Sequence, residues 1–230
     1  GGLDFEVPKM VKVKQNFEDH KIDDVALAVK NEINKPAITN SIKAGASIAI
    51  GVGSRGVANI DIAVKSLVSC LKELGAKPFI FPAMGSHGGG TVENQTALLA
   101  GYGVTEKKVG AEVRATMDTV VPVVLEDGTK VHMDKFAYEA DGVILINRVK
   151  PHTNFRGSIE SGVVKMMTIG MGKINGASEL HGSYPMSIFG TKLPNAAKHL
   201  LQKINFLFGV GLVEDAYDNT AIVEAIPAEK

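Results

Sequence analysis

Two histidines stand in loops bounded by glycine or proline, where an imidazole can exchange a proton with a bound molecule. His87 lies within the run GSHGGG, and His152 follows Pro151 in the run KPH. Histidine titrates near neutral pH and can therefore act as an acid and as a base, and flanking glycines let a substrate approach the ring closely. The sequence favours His87 and His152 as proton-transfer groups over the alternative that they are exposed loop residues.

A lysine and a third histidine are candidates for holding a cofactor or a metal. Lys165 lies among valines and methionines in the run ESGVVKMM. Partial desolvation lowers the pKa of an amine and makes it a nucleophile, although such a lysine can also extend its ammonium into water. His181, in the run ELHG, is a possible metal ligand, but no spacing typical of a metal site built from protein ligands alone accompanies it.

The run GVGSRG ends in a serine and an arginine that suit an anion. Ser54 and Arg55 follow an apolar run and precede a helical pattern, so backbone N–H groups there could bind a phosphate that Arg55 holds. A tight turn with a surface arginine fits the same letters equally well. The run also matches the dinucleotide pattern G-x-G-x-x-G, but it lacks a clear acidic residue closing the second strand and is weak evidence for NAD.

These groups must be positioned by the elements that precede them. Apolar runs at Ser47–Val52 and 79–81 predict buried strands, each followed by a glycine loop and then a helix. Asn59 is expected to cap the first of these helices and Gly75 to end it, and Thr91 is expected to cap the second. The alternation predicts an α/β fold with a Rossmann-like, largely parallel sheet and helices on both faces.

The rest of the chain predicts more of the same sheet and one irregular region. Strands are predicted at 121–125, 142–146 and 206–213, and a helix over 23–34. The stretch 156–190 is rich in glycine and methionine and predicts a loop with short helices. Ligands of such a sheet bind beyond the carboxyl ends of the strands, so we expect the runs GSRG, GSHG and NRVKPH to meet there.

Composition excludes several classes of function. The chain has 230 residues, with 25 Lys and Arg against 25 Asp and Glu, a balance that gives no electrostatic footprint for nucleic acid or an anionic membrane. The single cysteine, Cys70, excludes an internal disulfide, and no apolar run reaches the roughly 20 residues of a membrane span. We therefore expect a cytoplasmic protein that acts on a small molecule, in an oligomeric state that the sequence does not give.

The ordered motifs resemble those of the nickel-dependent lactate racemase family. From about residue 48 to 211 the chain carries, in order, GSRG, PAMGSHGG, NRVKPHTNFRG, ESGVVKMMTIGMGK and ELHG. The resemblance implies a racemase or epimerase of a 2-hydroxy acid that works by reversible hydride transfer to a nickel pincer nucleotide. It also implies that residues 1–230 are a single N-terminal, cofactor-binding domain of a longer protein without its C-terminal domain, and it leaves the activity of that domain alone open.

The resemblance implies a role for each candidate. Lys165 would anchor the cofactor covalently, and His181 would complete the coordination of nickel. His87 and His152 would serve as acid and base on opposite faces of the substrate.

The loop that carries Ser54 and Arg55 matches the end of a family motif that contacts the cofactor phosphate and the substrate. Lactate racemase itself has an acidic residue, a histidine and a proline around that arginine, so the resemblance does not imply lactate as the substrate. Two other classes stay open: a nucleotide- or phosphate-binding enzyme of another kind, and a non-catalytic binding domain.

Overall fold

The computed structural model describes residues 8–229, and seven strands form within that range. They are β1 (Ser47–Val52), β2 (Lys77–Pro82), β3 (Thr119–Val124), β4 (Lys130–Asp134), β5 (Gly142–Arg148), β6 (Phe206–Glu214) and β7 (Thr220–Pro227). The main sheet has the order β2-β1-β5-β6-β7, and β3 and β4 form a separate antiparallel pair. The first four strands of the main sheet are parallel and β7 is antiparallel, which confirms the predicted largely parallel sheet.

Nine helices connect and cover the strands in the same range. They are α1 (Val25–Ile33), α2 (Pro36–Thr39), α3 (Ile60–Glu73), α4 (Val92–Gly101), α5 (Glu106–Val109), α6 (Lys135–Glu139), α7 (Gly162–Lys165), α8 (Lys173–Ser183) and α9 (Phe189–Leu201). Short 3-10 turns lie at His87–Gly90 and Met186–Ile188, and a π-helical turn lies at Met166–Gly170. None of these helices is long and apolar enough to cross a membrane.

Both faces of the main sheet are buried, as the sequence predicted. Ile48 and Ile50 of β1 pack with α1 and α3 on one face, while Ala49 belongs to a second cluster that includes α9 and the β3–β4 pair. Because successive side chains of a strand point to opposite faces, two covered faces require nearly every position of β1 to be apolar.

The helix ends that frame the β1 and β2 loops agree with the sequence at two of three positions. Gly75 has a φ of +82° and its N–H donates to the carbonyl of Lys72 (2.9 Å), the expected end of α3. The Thr91 hydroxyl accepts the N–H of Asn94 (3.3 Å) at the start of α4.

The predicted side-chain cap at Asn59 is wrong. Asn59 precedes α3 but has a φ of +60° and makes no capping hydrogen bond. Its amide instead donates to the hydroxyl of Thr220 (3.0 Å), at the start of the edge strand β7. The Asn59 side chain, which the sequence pattern assigned to capping α3, is therefore used in a tertiary contact with β7.

Two further expectations need correction. The strand expected at 121–125 forms as β3, but it pairs only with β4 and lies outside the main sheet. The stretch 156–190, expected to be a loop with short helices, contains the eleven-residue helix α8 and the start of the thirteen-residue α9.

Candidate active site

A cleft of about 360 Å³ opens at the carboxyl ends of β1, β2 and β5. Strand β1 lies between β2 and β5 in the sheet, so the chain departs from β1 toward one side and reaches β5 on the other. Such a reversal of strand order leaves a crevice between the loops that follow the two strands, and ligands of open α/β sheets bind there.

The cleft wall includes every residue singled out from the sequence. They are Ser54, Arg55, His87, His152, Lys165 and His181. The structure places these six residues in one cleft, and the role of each stays a prediction.

Lys165 ends α7, directly before the π-helical turn, and is half-buried. Its ammonium lies 6.0 Å from the centre of the Phe155 ring. Burial and, secondarily, the nearby charges of Arg55 and Lys150 hold the pKa of Lys165 below its usual range. This environment favours a desolvated, nucleophilic amine over a lysine that extends into water.

The π-helical turn brings the Lys165 segment against the loop of His87. The N–H of Gly85 donates to the carbonyl of Gly170 at the end of the turn (3.0 Å). A Cβ on Gly170 would come within 2.7 Å of the carbonyl oxygen of Ala83, so only glycine allows this approach. π-helical turns inside helical segments are frequent at functional sites.

The turn that carries His87 is fixed from behind by α4. Gln95, which is fully buried, donates from its amide to the carbonyls of Gly85 (2.9 Å) and His87 (3.0 Å). Gly88 and Gly89 adopt φ values of +66° and +67°, which glycine reaches without steric cost. The glycines of GSHGGG are therefore needed for the backbone of the turn.

The His87 ring is hydrogen-bonded through Nδ1 to the hydroxyl of Ser54. Burial, and then the charges of Arg55 and Lys165, lower the pKa of His87 below its ordinary 6.5. The ring is therefore predominantly neutral at physiological pH, the state in which an imidazole can accept a proton.

His152 is held by different means on the opposite side of the cleft. Its ring lies 4.2 Å from that of Phe155, centre to centre, and its Nδ1 accepts the N–H of Asn154 (3.1 Å). Its backbone N–H donates to the carboxylate of Glu160 (2.9 Å). Burial, and then Lys165 and Lys150, lower the pKa of His152, while Glu160 raises it.

His181 lies in the last turn of α8, with its ring 5.0 Å from that of Phe189. Burial and then the charge of Lys165 lower its pKa. No group of three or more His, Cys, Asp or Glu residues within 8–229 could hold a metal ion. A metal bound at His181 would therefore need most of its donors from a non-protein ligand.

The cleft carries an excess of positive charge. The Lys165 charge lowers the pKa of all three histidines, so its ammonium lies near each of them. Among the nearby cations, Arg148 pairs with Glu214, whereas the charges that act on Lys165 within residues 8–229 are those of the cations Arg55 and Lys150. Such a field favours an anionic ligand.

Sequence reasoning did not single out several residues of the cleft wall, among them Asn147. This residue is 7% exposed; its amide nitrogen donates to the carbonyl of Arg148 (3.0 Å), while its Oδ1 is buried and has no hydrogen-bond partner in the described part of the chain. Its place near the end of β5 is the only sequence signal that could have identified it.

One backbone amide near the start of α3 is not free to bind a phosphate. The N–H of Ala58 already donates to the carboxylate of Glu214 (2.6 Å). This carboxylate also pairs with Arg148. An anion near this loop would therefore depend on the Arg55 side chain more than on that amide.

Comparisons with known proteins bear on family and fold. The family model described as the lactate racemase N-terminal domain matches residues 5–186. The solved structure of the lactate racemase apoprotein from Thermoanaerobacterium thermosaccharolyticum is similar, with a TM-score of 0.65 and 17% identity over 94% of this chain and 57% of that chain. This chain thus spans little more than half the length of that protein. No match was found among the curated proteins.

Proposed function

The chain belongs to the lactate racemase N-terminal domain family, and we propose that it forms the cofactor-binding part of a racemase or epimerase of a 2-hydroxy acid that uses a nickel pincer nucleotide. The observation that carries the proposal is the convergence of the family-matched lysine, arginine, serine and three histidines in one cleft.

The residues of the cleft suit such a cofactor. A mononucleotide brings a phosphate, which cations can bind. Arg55 and Lys150 line the cleft, and both lie close enough to Lys165 for their charges to lower its pKa. The half-buried Lys165 amine has the lowered pKa that a covalent link through nitrogen requires. His181 offers one imidazole to a metal whose other donors would belong to the organic ligand.

In this proposal the chain holds the cofactor and moves protons. Lys165 carries the covalent link, His181 provides a nickel ligand, and Arg55 neutralises an anionic group. When bound, the nickel pincer nucleotide supplies reversible hydride transfer from and to C2 of the 2-hydroxy acid.

His87 and His152 handle the proton of the substrate hydroxyl. One ring, as the neutral imidazole, takes this proton as the hydroxyl becomes a carbonyl. The ring on the other face of the carbon starts as the imidazolium and gives up its proton when the hydroxyl re-forms. The pKa values of both rings lie below the ordinary 6.5, so the ring that acts as the base can be neutral near pH 7. Two bases are needed because the two enantiomers present the hydroxyl on different faces.

Mass and metal analysis test the proposal directly. We expect the protein, produced together with the enzymes that make the cofactor, to contain nickel and to carry an added mass that peptide mapping assigns to Lys165. Lys165→Met should lose the added mass, whereas Lys150→Met, at another lysine of the same cleft, should keep it.

An unmodified Lys165 and no nickel under these conditions would contradict the proposal. Nickel-independent activity that survives Lys165→Met would instead identify a nucleotide- or phosphate-binding enzyme of another class, which the cationic cleft also suits.

A further inference from the structure

Ser54 and His87 come from neighbouring loops of the sheet and meet through one hydrogen bond. Strands β1 and β2 are parallel, with Val52 opposite Pro82, so the loops that follow them leave the sheet side by side. The Ser54 hydroxyl forms a hydrogen bond with Nδ1 of His87. The other ring nitrogen, Nε2, has no hydrogen-bond partner within residues 8–229.

Helix α4 and Tyr102, which caps its carboxyl end, hold both members of this pair. Gln95 and Tyr102 are seven residues apart, a spacing that places them on the same side of a helix. Gln95 binds the carbonyl of His87, and the Tyr102 phenol donates to the carbonyl of Ser54 (2.5 Å). The relative position of the serine and the histidine is therefore set by one rigid element.

The chemistry of the ring decides what the hydroxyl does. A neutral imidazole carries one proton, on Nδ1 or on Nε2. Proton transfer at Nε2 requires the proton to stay on Nδ1, because otherwise Nε2 is already protonated. A hydrogen-bond acceptor at Nδ1 selects that tautomer, as the aspartate of the serine protease triad does for its histidine.

We propose that the Ser54 hydroxyl accepts the hydrogen bond of His87 Nδ1–H and so holds Nε2 free to take the proton of the substrate hydroxyl. Ser54 is then a positioning residue for His87. The use of Nε2 rests on the proposed racemase function, whereas the tautomer itself is a property of the chain without cofactor.

A hydroxyl suits this task better than a carboxylate. A carboxylate next to the ring would raise the pKa of His87 and favour the imidazolium. Burial and the neighbouring cations lower the pKa of His87 and keep its ring neutral. The Ser54 hydroxyl is uncharged, so it can orient the ring without raising that pKa.

The opposite arrangement, in which the serine donates its proton to Nδ1, would suit Ser54 as an activated nucleophile. A histidine that activates serine is normally oriented by an acceptor on its second nitrogen. No such acceptor contacts His87 Nε2 among residues 8–229, so the geometry favours the positioning role.

His152 provides an internal reference with the other tautomer. Its Nδ1 accepts the backbone N–H of Asn154 (3.1 Å) and is therefore unprotonated in the neutral ring. The two histidines of the cleft should differ in the position of their proton, and of the two, His87 is the ring whose Nε2 is free to act as the base in the chain without cofactor.

Nitrogen NMR of the chain without cofactor tests the inference, since protonated and unprotonated ring nitrogens have distinct chemical shifts. At a pH where both rings are neutral, we expect Nδ1–H for His87 and Nε2–H for His152. Ser54→Ala should lower the Nδ1–H to Nε2–H ratio of His87 about fivefold, the effect of losing one neutral hydrogen bond. Ser54→Thr should restore it.

Ser86→Ala is the matched control, because Ser86 precedes His87 in the same cleft but its hydroxyl does not cap the turn. It should leave the ratio unchanged. Tyr102→Phe, which removes the bond to the Ser54 carbonyl, should lower the ratio by a smaller factor than Ser54→Ala.

An Nε2–H tautomer of His87 in the unaltered chain would overturn the inference, and so would an equal ratio in the Ser54→Ala variant. Both readings are independent of Lys165 and nickel. A failure of the proposed cofactor chemistry is therefore distinguishable from a failure of the tautomer assignment.

Discussion

The two walls of the cleft are held in different ways. The first wall consists of residues 53–56 and 85–102. Its loop carbonyls are bound by Gln95 of α4, which is fully buried, and by Tyr102, which caps α4. The second wall, residues 149–165, depends on Glu160, which accepts the N–H groups of His152 (2.9 Å) and Gly157 (3.2 Å), and on exposed side chains such as Arg156.

The anchors of the two walls differ in burial: the bond of Gln95 to Gly85 is buried, whereas the bond of Glu160 to Gly157 is exposed. Backbone held by buried hydrogen bonds opens only with much of the fold, whereas a loop held by solvent-exposed bonds opens at a small free energy. The cleft thus combines a fixed wall that carries His87 with an adjustable wall that carries His152. In the proposed function, a nucleotide and a substrate would enter through the second wall without disturbing the geometry of the first.

A buried ion pair connects the start of α8 with the ends of β4 and β2. Lys173, at the start of α8, lies 2.9 Å from the Asp134 carboxylate and also donates to the carbonyl of Pro82 at the end of β2 (2.5 Å). Both side chains are fully buried. The pair therefore fixes the helix that carries His181 relative to the strand that leads to His87.

The largest effect is expected from Lys173→Met. The substitution leaves the Asp134 carboxylate buried without its partner, and loss of one member of a buried pair costs about 3–5 kcal/mol in the free energy of unfolding. Chemical denaturation followed by circular dichroism measures this change.

Two variants show whether the charge is the cause. Lys173→Met combined with Asp134→Asn should recover part of the loss, because the amide is neutral and can still accept the N–H of Ala137. Lys192→Met, which removes a surface partner of Asp127, should cost less than about 1 kcal/mol. Equal losses for Lys173→Met and Lys192→Met would show that the buried pair contributes no more to the free energy of unfolding than a surface pair.

The next effect is expected from Gln95→Leu, which removes the amide that binds the His87 turn. Two loop carbonyls lose their donor, and a buried unsatisfied group costs about 1–3 kcal/mol. The lower part of this range applies, because the substitution also removes the buried, unpartnered Oε1 of Gln95. Amide hydrogen exchange should rise at Gly88 and Gly89 and stay unchanged at residues 153–157.

Glu160→Gln makes the reciprocal change on the second wall. It weakens the bonds to the N–H groups of His152 and Gly157, so exchange should rise at those amides and not in the His87 turn. If either variant raised exchange equally on both sides, the two walls would be one cooperative unit and the distinction between them would fail.

The sequence predicted the strand and the loop of the first wall because their signals are local, but it did not identify Gln95 or Tyr102, which hold that loop. An apolar strand, a glycine loop and a threonine cap follow one another from residue 77 to 91, and each acts within a few residues of its position. The same locality placed Ser54, Arg55 and His87 at adjacent strand ends.

The second wall and the ion pair between Lys173 and Asp134 could not be predicted in the same way. Asp134 and Lys173 are far apart in the chain, and each alone resembles a surface residue. Helix α9 contains Gly190 and Pro194, which are unfavourable inside helices and obscure its helical pattern in the sequence. Its buried apolar positions include Phe189, Leu193 and Leu200. Asn59 shows the reverse case, in which a good local cap is taken by a contact with β7.

The smallest effect, and the sharpest comparison, concerns the titration of His87 and His152. Both pKa values lie below 6.5 in the folded chain, so the neutral rings contribute stability above pH 6.5 that is lost as the pH falls through 6.5 toward the folded values. Lys165→Met should raise both values, because its charge acts on both rings, and NMR titration measures each ring separately.

Single substitutions of the other cations should separate the rings. Arg55 lowers the pKa of His87, and Lys150 lowers that of His152. Arg55→Gln should therefore raise the pKa of His87 alone, and Lys150→Gln that of His152 alone. If Arg55→Gln raised the pKa values of both histidines equally, the charge of Arg55 would act on both walls of the cleft and not on the first wall alone.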